Sequence, residues 1–162
     1  MRVDMNDYKI YLDLDGVLVN FQKGIQEHTN DPDITFGGVQ EAFKTMHGNY
    51  DFWANLEPLK GWDDIWKTVK RYECFVLSSC SNLGEKCKCG KIDWVKRHLN
   101  GMKEDNIIIV QDMHEKAFYA NEKSILIDDM EKNIIQWVEA GGIGILYRNI
   151  EQTINEFKRY EK

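Results

Sequence analysis

Five short apolar runs, separated by stretches with helical spacing, most constrain what this chain can fold into. The runs are rich in Ile, Val, Leu or aromatic residues, which predicts buried strands at residues 9–14, 73–77, 107–110, 124–127 and 144–146. Apolar residues that recur every three or four positions predict helices at residues 62–71, 91–99, 131–140 and 150–160. This alternation indicates an α/β fold of three layers, Rossmann-like, with a mostly parallel five-stranded sheet between helices.

Two acidic pairs lie at the ends of predicted strands. Asp13 and Asp15 end the first apolar run, and Asp128 and Asp129 directly follow the fourth. Neighbouring parallel strands would bring these four carboxylates to one edge of the sheet, where they should repel one another unless a cation compensates them. Hard divalent cations prefer oxygen ligands, and Mg²⁺ keeps waters that a phosphate can displace. The pattern therefore predicts a Mg²⁺ site that handles phosphoryl groups.

One long segment interrupts the alternation of strands and helices. Residues 19–59 are too many for a simple strand–helix loop, and they leave the sheet beside the first acidic pair, where open α/β sheets bind ligands. We interpret them as a small helical cap, with a short helix near residues 39–47, on a core formed by residues 1–18 and 60–162. Most of its aromatic residues are expected to form the cap's own core, while one or two face a flat ring of the substrate: Phe36, Phe43, Phe52 and Trp53.

Composition narrows the class of protein. The 162 residues suit one domain with a small insertion, and a net charge of -6 with a pI near 5.2 argues against binding of duplex nucleic acid. No apolar run reaches the length of about 18 residues that a membrane span requires. The first residues also lack an apolar signal core, so we expect a cytoplasmic protein. The oligomeric state stays open, with a homodimer as one option.

The cysteines could either bind zinc or remain as reduced thiols. Cys80, Cys87 and Cys89 do not follow the usual spacing of zinc ligands, and no second pair follows them. Reduced thiols are therefore favoured over a zinc site.

Four elements in chain order carry a family resemblance. DLDGV ends the first strand, Ser78 and Ser79 follow the second, Lys116 follows the third, and Asp128-Asp129 follows the fourth. This order resembles the haloacid-dehalogenase-like (HAD) phosphohydrolase superfamily. The stretches DLDGVLVNF, FWANLEPLKGW, GKIDWVKRHL and LIDD are in addition similar to its 5'(3')-deoxyribonucleotidase branch.

The resemblance implies a role for each acidic residue. Asp13 would be the nucleophile, since a carboxylate divides phosphoester hydrolysis into two easier steps through an aspartyl-phosphate. Asp15 would be the general acid and base, and neighbouring negative charge favours the protonated form that this role needs. Mg²⁺ would be held by Asp13, the backbone carbonyl of Asp15 and Asp128, with Asp129 close by or acting through a water molecule.

The resemblance also implies how the substrate is held. Ser78, Ser79 and Lys116 would bind the phosphoryl group. Lys91 is either a second phosphate contact or a solvated helix residue. Phe21, Phe52 and Trp53 are the candidates for contact with the rest of the substrate.

The expected activity is Mg²⁺-dependent hydrolysis of a small phosphomonoester through an aspartyl-phosphate, with a nucleoside monophosphate as the favoured substrate. Alternatives are a phosphatase or phosphomutase for another small phosphate ester, and a non-catalytic phosphate-binding relative. A signalling receiver domain is disfavoured, because receivers carry their adjacent acidic pair after the first strand. Here the adjacent pair, Asp128-Asp129, follows the fourth.

Overall fold

A central parallel sheet organises the protein, as seen in a computed structural model that describes residues 4–35, 44–81 and 83–161. Its strands run in the spatial order β3-β2-β1-β4-β5, and every neighbouring pair is parallel. The bounds are β1 Lys9–Leu12, β2 Glu73–Ser79, β3 Ile107–Val110, β4 Ser124–Asp128 and β5 Ile143–Leu146. The predicted α/β class with a parallel five-stranded sheet is therefore confirmed.

Helices connect the strands, and most lie where the apolar spacing predicts them. Their bounds are α1 Phe21–Thr29, α2 Tyr50–Ala54, α3 Trp62–Val69, α4 Gly84–His98, α5 Glu131–Glu139 and α6 Ile150–Tyr160. Short 3₁₀ helices span Met5–Asp7, Glu104–Asn106 and Met113–Tyr119. Three differences from the sequence expectations matter for the site: α4 begins before residue 91, and neither α1 nor α2 was predicted.

The sheet is covered on both faces, as right-handed crossovers require. Alternate residues of β1 point to opposite sides, so Ile10 and Leu12 belong to one apolar cluster while Tyr11 belongs to another. The larger cluster includes buried side chains from α3, α4 and α6, and the smaller one includes Trp137 of α5. Two packed layers therefore hold the strand ends in fixed positions.

The first and last residues of segment 19–59 lie side by side. Val19 pairs with Pro58 in an isolated antiparallel bridge, and Leu59 N–H donates to the carbonyl of Leu18 at 2.9 Å. Buried side chains of α1 and α2 join the larger cluster of the sheet, so this segment packs on the core without an apolar cluster of its own among the described residues. Phe36, Phe43 and most of the expected helix near 39–47 lie outside the described residues.

None of the helices in the described part of the chain has both the length and the apolar character that crossing a membrane requires.

Candidate active site

The carboxyl ends of β1 and β4 bring both acidic pairs to one place. β1 and β4 are adjacent and in register, with Leu12 opposite Ile127, so the residues that follow them emerge side by side. Between Asp15 and the next turn, Gly16 adopts a positive φ of 82°. A Cβ on Gly16 would lie 2.0 Å from Oδ2 of Asp129, so glycine is needed both for the turn and for this close approach.

Three of the four carboxylates form a group that can hold a metal ion. One oxygen each from Asp13, Asp128 and Asp129 lies within 4.8 Å of the others. Asp13 and Asp128 are 5% and 0% exposed, while Asp129 is partly exposed. The Asp15 side chain is not a member of this group, so only its backbone carbonyl remains as the expected fourth contact. Oxygen ligands at this spacing suit a hard cation such as Mg²⁺.

Lys116 lies inside the carboxylate group. Its Nζ is 3.0 Å from Oδ1 of Asp13 and 2.7 Å from Oδ2 of Asp128, and the residue is 3% exposed. Burial alone would lower the pKa of Lys116, but Asp13 and Asp128 hold that pKa above its ordinary value. The ammonium group therefore stays charged and links the ends of the two strands.

Burial and mutual repulsion make the acidic group costly to ionise completely. Burial raises the pKa of Asp13 well above its usual range, Asp128 adds to the rise, and Lys116 opposes it. Burial, followed by repulsion from Asp128 and Asp15, raises the pKa of Asp129 to about 7. A bound cation would take the place of the proton that these groups otherwise retain.

Lys91 is the second buried ammonium group of the site. Its Nζ lies 2.7 Å from Oδ2 of Asp15, 3.1 Å from Oγ of Ser78 and 2.6 Å from the carbonyl of Ser79. The residue is 2% exposed. Burial alone would lower the pKa of Lys91, but Asp15, Cys87 and Cys80 together hold that pKa above its ordinary value. Of the two readings of Lys91 from the sequence, the solvated helix residue is therefore wrong, because α4 begins at Gly84 and turns this position toward the sheet.

The net charge of the site matches that of one divalent cation. The carboxylates of Asp13, Asp15, Asp128 and Asp129 face the two ammonium groups described above. Four negative and two positive charges sum to two negative charges when all six groups are ionised. The residues therefore fit Mg²⁺ both by ligand type and by charge.

An adjoining cavity of about 300 Å³ reaches from the carboxylates to the aromatic residues of segment 19–59. Phe21 and Trp53 line it and stack on each other, with ring centroids 5.7 Å apart and planes at 15°. Phe52 does not line this cavity; it lies on a second depression with Gly24 and His28. Successive residues of a helix point about 100° apart, so when Trp53 faces the site, Phe52 faces away.

Ser78 and Ser79 take different positions at the end of β2. Ser78 is buried beside Lys91, as described, and both serines line the cavity. Ser79 Oγ accepts from the backbone N–H of Ser81 at 3.2 Å, which shapes the loop where Ser81 has a φ of 43°. Ser78 thus lies against the lysine, while the Ser79 side chain supports the loop.

Several lining residues were not anticipated from the sequence, among them Gln22, Cys80, Ser81, Met113, Met130 and Asn133. Asn133 carried a usable signal. It precedes Trp137 by four residues on α5, so a polar side chain occupies the buried face of the helix.

Cys80 and Cys87 are buried and Cys89 is exposed, and all are free thiols.

Several known proteins are similar to this chain in sequence. The profile of the family described as "5' nucleotidase, deoxy (Pyrimidine), cytosolic type C protein" matches residues 7–161. "Putative 5'(3')-deoxyribonucleotidase R824" of Acanthamoeba polyphaga mimivirus is 26% identical over 75% of this chain and 62% of its own length. A "Putative 5'(3')-deoxyribonucleotidase" of Vibrio phage KVP40 is 29% identical over 76% of this chain and 67% of its own length. The chain thus spans roughly two thirds of these relatives, and less than that of the first.

Solved structures agree in fold. A hydrolase from Streptococcus pneumoniae TIGR4 has a TM-score of 0.53 at 13% identity and covers 93% of this chain and 98% of its own. A haloacid dehalogenase-like hydrolase from Burkholderia xenovorans LB400, named as putative, has a TM-score of 0.52 at 11% identity, covering 91% and 85%. At these identities the likeness concerns the fold alone. The match over residues 7–161 decides the family: the chain belongs to the cytosolic type C 5'-nucleotidases.

Proposed function

We propose that this protein is a Mg²⁺-dependent phosphomonoester hydrolase that removes the phosphate of deoxyribonucleoside monophosphates through an aspartyl-phosphate intermediate. One observation carries the proposal: a metal-binding group of three carboxylates adjoins a cavity that is lined by two of them, by two buried lysines and by an aromatic wall. The family description and the names of the two relatives favour a nucleotide among phosphate esters.

Asp13 is the proposed nucleophile. Lys116 contacts its Oδ1 at 3.0 Å, which leaves Oδ2 to attack phosphorus. Attack forms the bond between Asp13 and phosphorus and breaks the bond from phosphorus to the ester oxygen of the nucleoside. A bound Mg²⁺ would supply charge neutralisation for the carboxylate and the phosphate, so that two anions can approach each other.

Asp15 is the proposed general acid and base. Its side chain is 25% exposed and lies outside the metal-binding group, with Oδ2 held by Lys91. It would give a proton to the departing ester oxygen, and it would then take a proton from the water that attacks the phosphorus of the intermediate. That attack releases inorganic phosphate and restores the carboxylate of Asp13.

The phosphate is proposed to lie between the two lysines. Lys91 and Lys116 have buried ammonium groups at the ends of β2, β1 and β4, and Ser78 Oγ is 3.1 Å from Lys91. A phosphoryl group there lies beside two fixed positive charges, which stabilise the charge of the transition state. Ser79 would contribute from the adjacent loop.

The aromatic wall is the proposed site for the nucleobase. Phe21 and Trp53 line the same cavity as the carboxylates, and stacking of a base on an aromatic ring contributes about 1–3 kcal/mol. Segment 19–59 would therefore act as the specificity cap over residues 1–18 and 60–162. Phe52 is proposed as a support for Trp53, whose ring it meets edge-on at 4.9 Å.

Phosphate release from a panel of phosphomonoesters tests this function. The panel contains pyrimidine and purine deoxyribonucleotides with 5' or 3' phosphates, ribonucleotides, sugar phosphates and p-nitrophenyl phosphate, each with Mg²⁺ and with EDTA. We expect Mg²⁺-dependent hydrolysis with the highest kcat/KM on a deoxyribonucleotide, and no activity from Asp13→Asn. Higher kcat/KM on sugar phosphates would contradict the substrate class, and activity that persists in Asp13→Asn would contradict the site.

A further inference from the structure

Asn133 is a polar residue on the buried face of α5, a position where packing alone would favour an apolar side chain. It lies in the first turn of α5, is 3% exposed and lines the cavity that holds the carboxylates. Its Nδ2 donates to Oδ2 of Asp128 at 3.0 Å. The side chain thus reaches back from the helix to the end of β4.

The orientation of the Asn133 amide is fixed by chemistry. Rotating the amide by a half turn would place its oxygen against the Asp128 carboxylate, where two acceptors would face each other without a proton. Nδ2 must therefore face Asp128, and Oδ1 must face the other way. In the part of the chain that the structure describes, no hydrogen-bond donor reaches this Oδ1. A buried acceptor without a donor is costly, so a donor that belongs to the working site should meet it.

The neighbouring carboxylate is held at both oxygens. Oδ1 of Asp128 accepts from the backbone N–H of Met130 at 2.9 Å, and Oδ2 accepts from Lys116 at 2.7 Å as well as from Asn133. Asp128 is therefore fixed in one orientation. Its oxygen is one of the three that lie within 4.8 Å of one another in the metal-binding group.

We propose that Asn133 is a positioning residue of the metal site, with a separate task for each atom of its amide. Nδ2 aims Asp128 at the cation, and Oδ1 accepts a hydrogen bond from a water molecule bound to that cation. Mg²⁺ retains several of its waters in protein sites, and such waters are strong donors. This inference rests on the proposed Mg²⁺-dependent function and assigns a residue that the acidic motifs do not include.

Calorimetric titration of the metal-free protein with MgCl₂ tests the inference without substrate. We expect Asn133→Ala to weaken Mg²⁺ binding by about 10–100-fold, the range for loss of a partner that orients a metal ligand. Asn155→Ala is the matched control, because it makes the same change at an exposed position of α6 and should leave Mg²⁺ affinity unchanged. Asn133→Leu keeps the branching at Cγ and fills the space of the amide without its polar atoms, so it serves if the alanine variant does not fold.

Two further readouts separate positioning from a merely structural role. A structural role would lower the Tm of the metal-free protein but leave the rise in Tm caused by Mg²⁺ intact. A positioning role reduces that rise and shifts the Mg²⁺ concentration for half-maximal activity upward, with kcat largely recovered at saturating Mg²⁺.

The outcomes distinguish this inference from the proposed function. If the unaltered protein binds Mg²⁺ and both Asn133 variants bind it equally well, the inference is overturned while the phosphatase proposal stands. If the unaltered protein binds no Mg²⁺ and hydrolyses phosphomonoesters in EDTA, both are overturned.

Discussion

Asp15 combines two features that make it suitable for moving a proton. Among the carboxylates that pair with the two buried lysines, Asp15 has the most accessible side chain, at 25% exposed. Lys91 holds one of its oxygens at 2.7 Å. Its carboxyl group lies outside the metal-binding group, so a cation there would not occupy it. A leaving group and, later, a water molecule can therefore reach the second oxygen.

Replacing Asp15 should separate the two chemical steps. With p-nitrophenyl phosphate, whose leaving group needs no proton, Asp15→Asn should still accept the phosphoryl group and then stall at hydrolysis. A stopped-flow trace should show one burst of nitrophenol per enzyme followed by slow turnover. Unchanged turnover of Asp15→Asn on alkyl phosphates would remove Asp15 from the acid–base role.

At the scale of elements, the packing of α2 on α4 connects segment 19–59 to Lys91. A Cβ added at Gly90 would lie 2.6 Å from Cβ of Trp53 and 2.9 Å from the carbonyl oxygen of Tyr50. The next residue, Lys91, reaches the active site, and its Nζ lies 5.1 Å from the centroid of the Trp53 ring. One contact between two helices therefore places both an aromatic wall residue and a phosphate-binding candidate.

Gly90→Ala should disturb this contact. The new methyl group meets backbone as well as side-chain atoms, so α2 must move, and overpacking of this kind costs about 1–3 kcal/mol. We expect a lower Tm and a higher KM for the nucleotide, measured by thermal unfolding and initial rates. Cys89→Ala is the matched control, because Cys89 is the exposed neighbour on the same helix. Equal Tm and KM values for the two variants would show that the α2–α4 contact does not affect substrate binding at the site.

Trp53→Leu should lower kcat/KM for a deoxyribonucleotide by about tenfold or more while sparing a sugar phosphate. The physical reason is loss of a stacking surface for the base, which contributes about 1–3 kcal/mol. Phe118→Leu is the control, since Phe118 is an exposed aromatic residue that does not line the cavity. Equal losses on both substrates would mean that Trp53 only maintains the fold.

Particular residues show how far the sequence predicts the structure. The four carboxylates could be placed together because parallel strands share an edge, and all five strands were found within two residues of their predicted bounds. Helix α1 was missed because Gly24 and several polar residues weaken its pattern, although Asn20 caps it by accepting from the backbone N–H of Lys23 at 3.1 Å. The burial of Lys91 and the outward orientation of Phe52 depend on tertiary packing, which local spacing does not encode.

At the scale of the whole molecule, stability and metal binding should depend on each other through pH. The pKa of Asp129 is about 7 in the folded metal-free protein, against about 3.9 for an unperturbed aspartate. Because the folded value is the higher one, this carboxyl stabilises the fold fully below about pH 4, and that contribution is lost as pH rises through 7. Mg²⁺ at the proposed site would bind the ionised carboxylates, so protons would compete with it over the same window.

Mg²⁺ should therefore raise the Tm more at pH 8 than at pH 5.5. Differential scanning calorimetry with and without the cation measures both increments. Asp129→Asn should reduce the difference between the two pH values, whereas Asp33→Asn, at an exposed position, should not. An equal increment at both pH values would contradict the assignment of Asp129 to the metal site.

The central claim is that Asp13 becomes covalently phosphorylated during turnover. The most direct measurement is acid quenching of the enzyme, mixed with Mg²⁺ and a deoxyribonucleoside monophosphate, followed by peptide mass spectrometry. We expect a phosphoryl group on the peptide that contains Asp13 and none in Asp13→Asn. We expect a larger fraction in Asp15→Asn when p-nitrophenyl phosphate, whose leaving group needs no proton, replaces the nucleotide. Full turnover with no phosphorylated peptide in either the unaltered protein or Asp15→Asn would contradict the central claim.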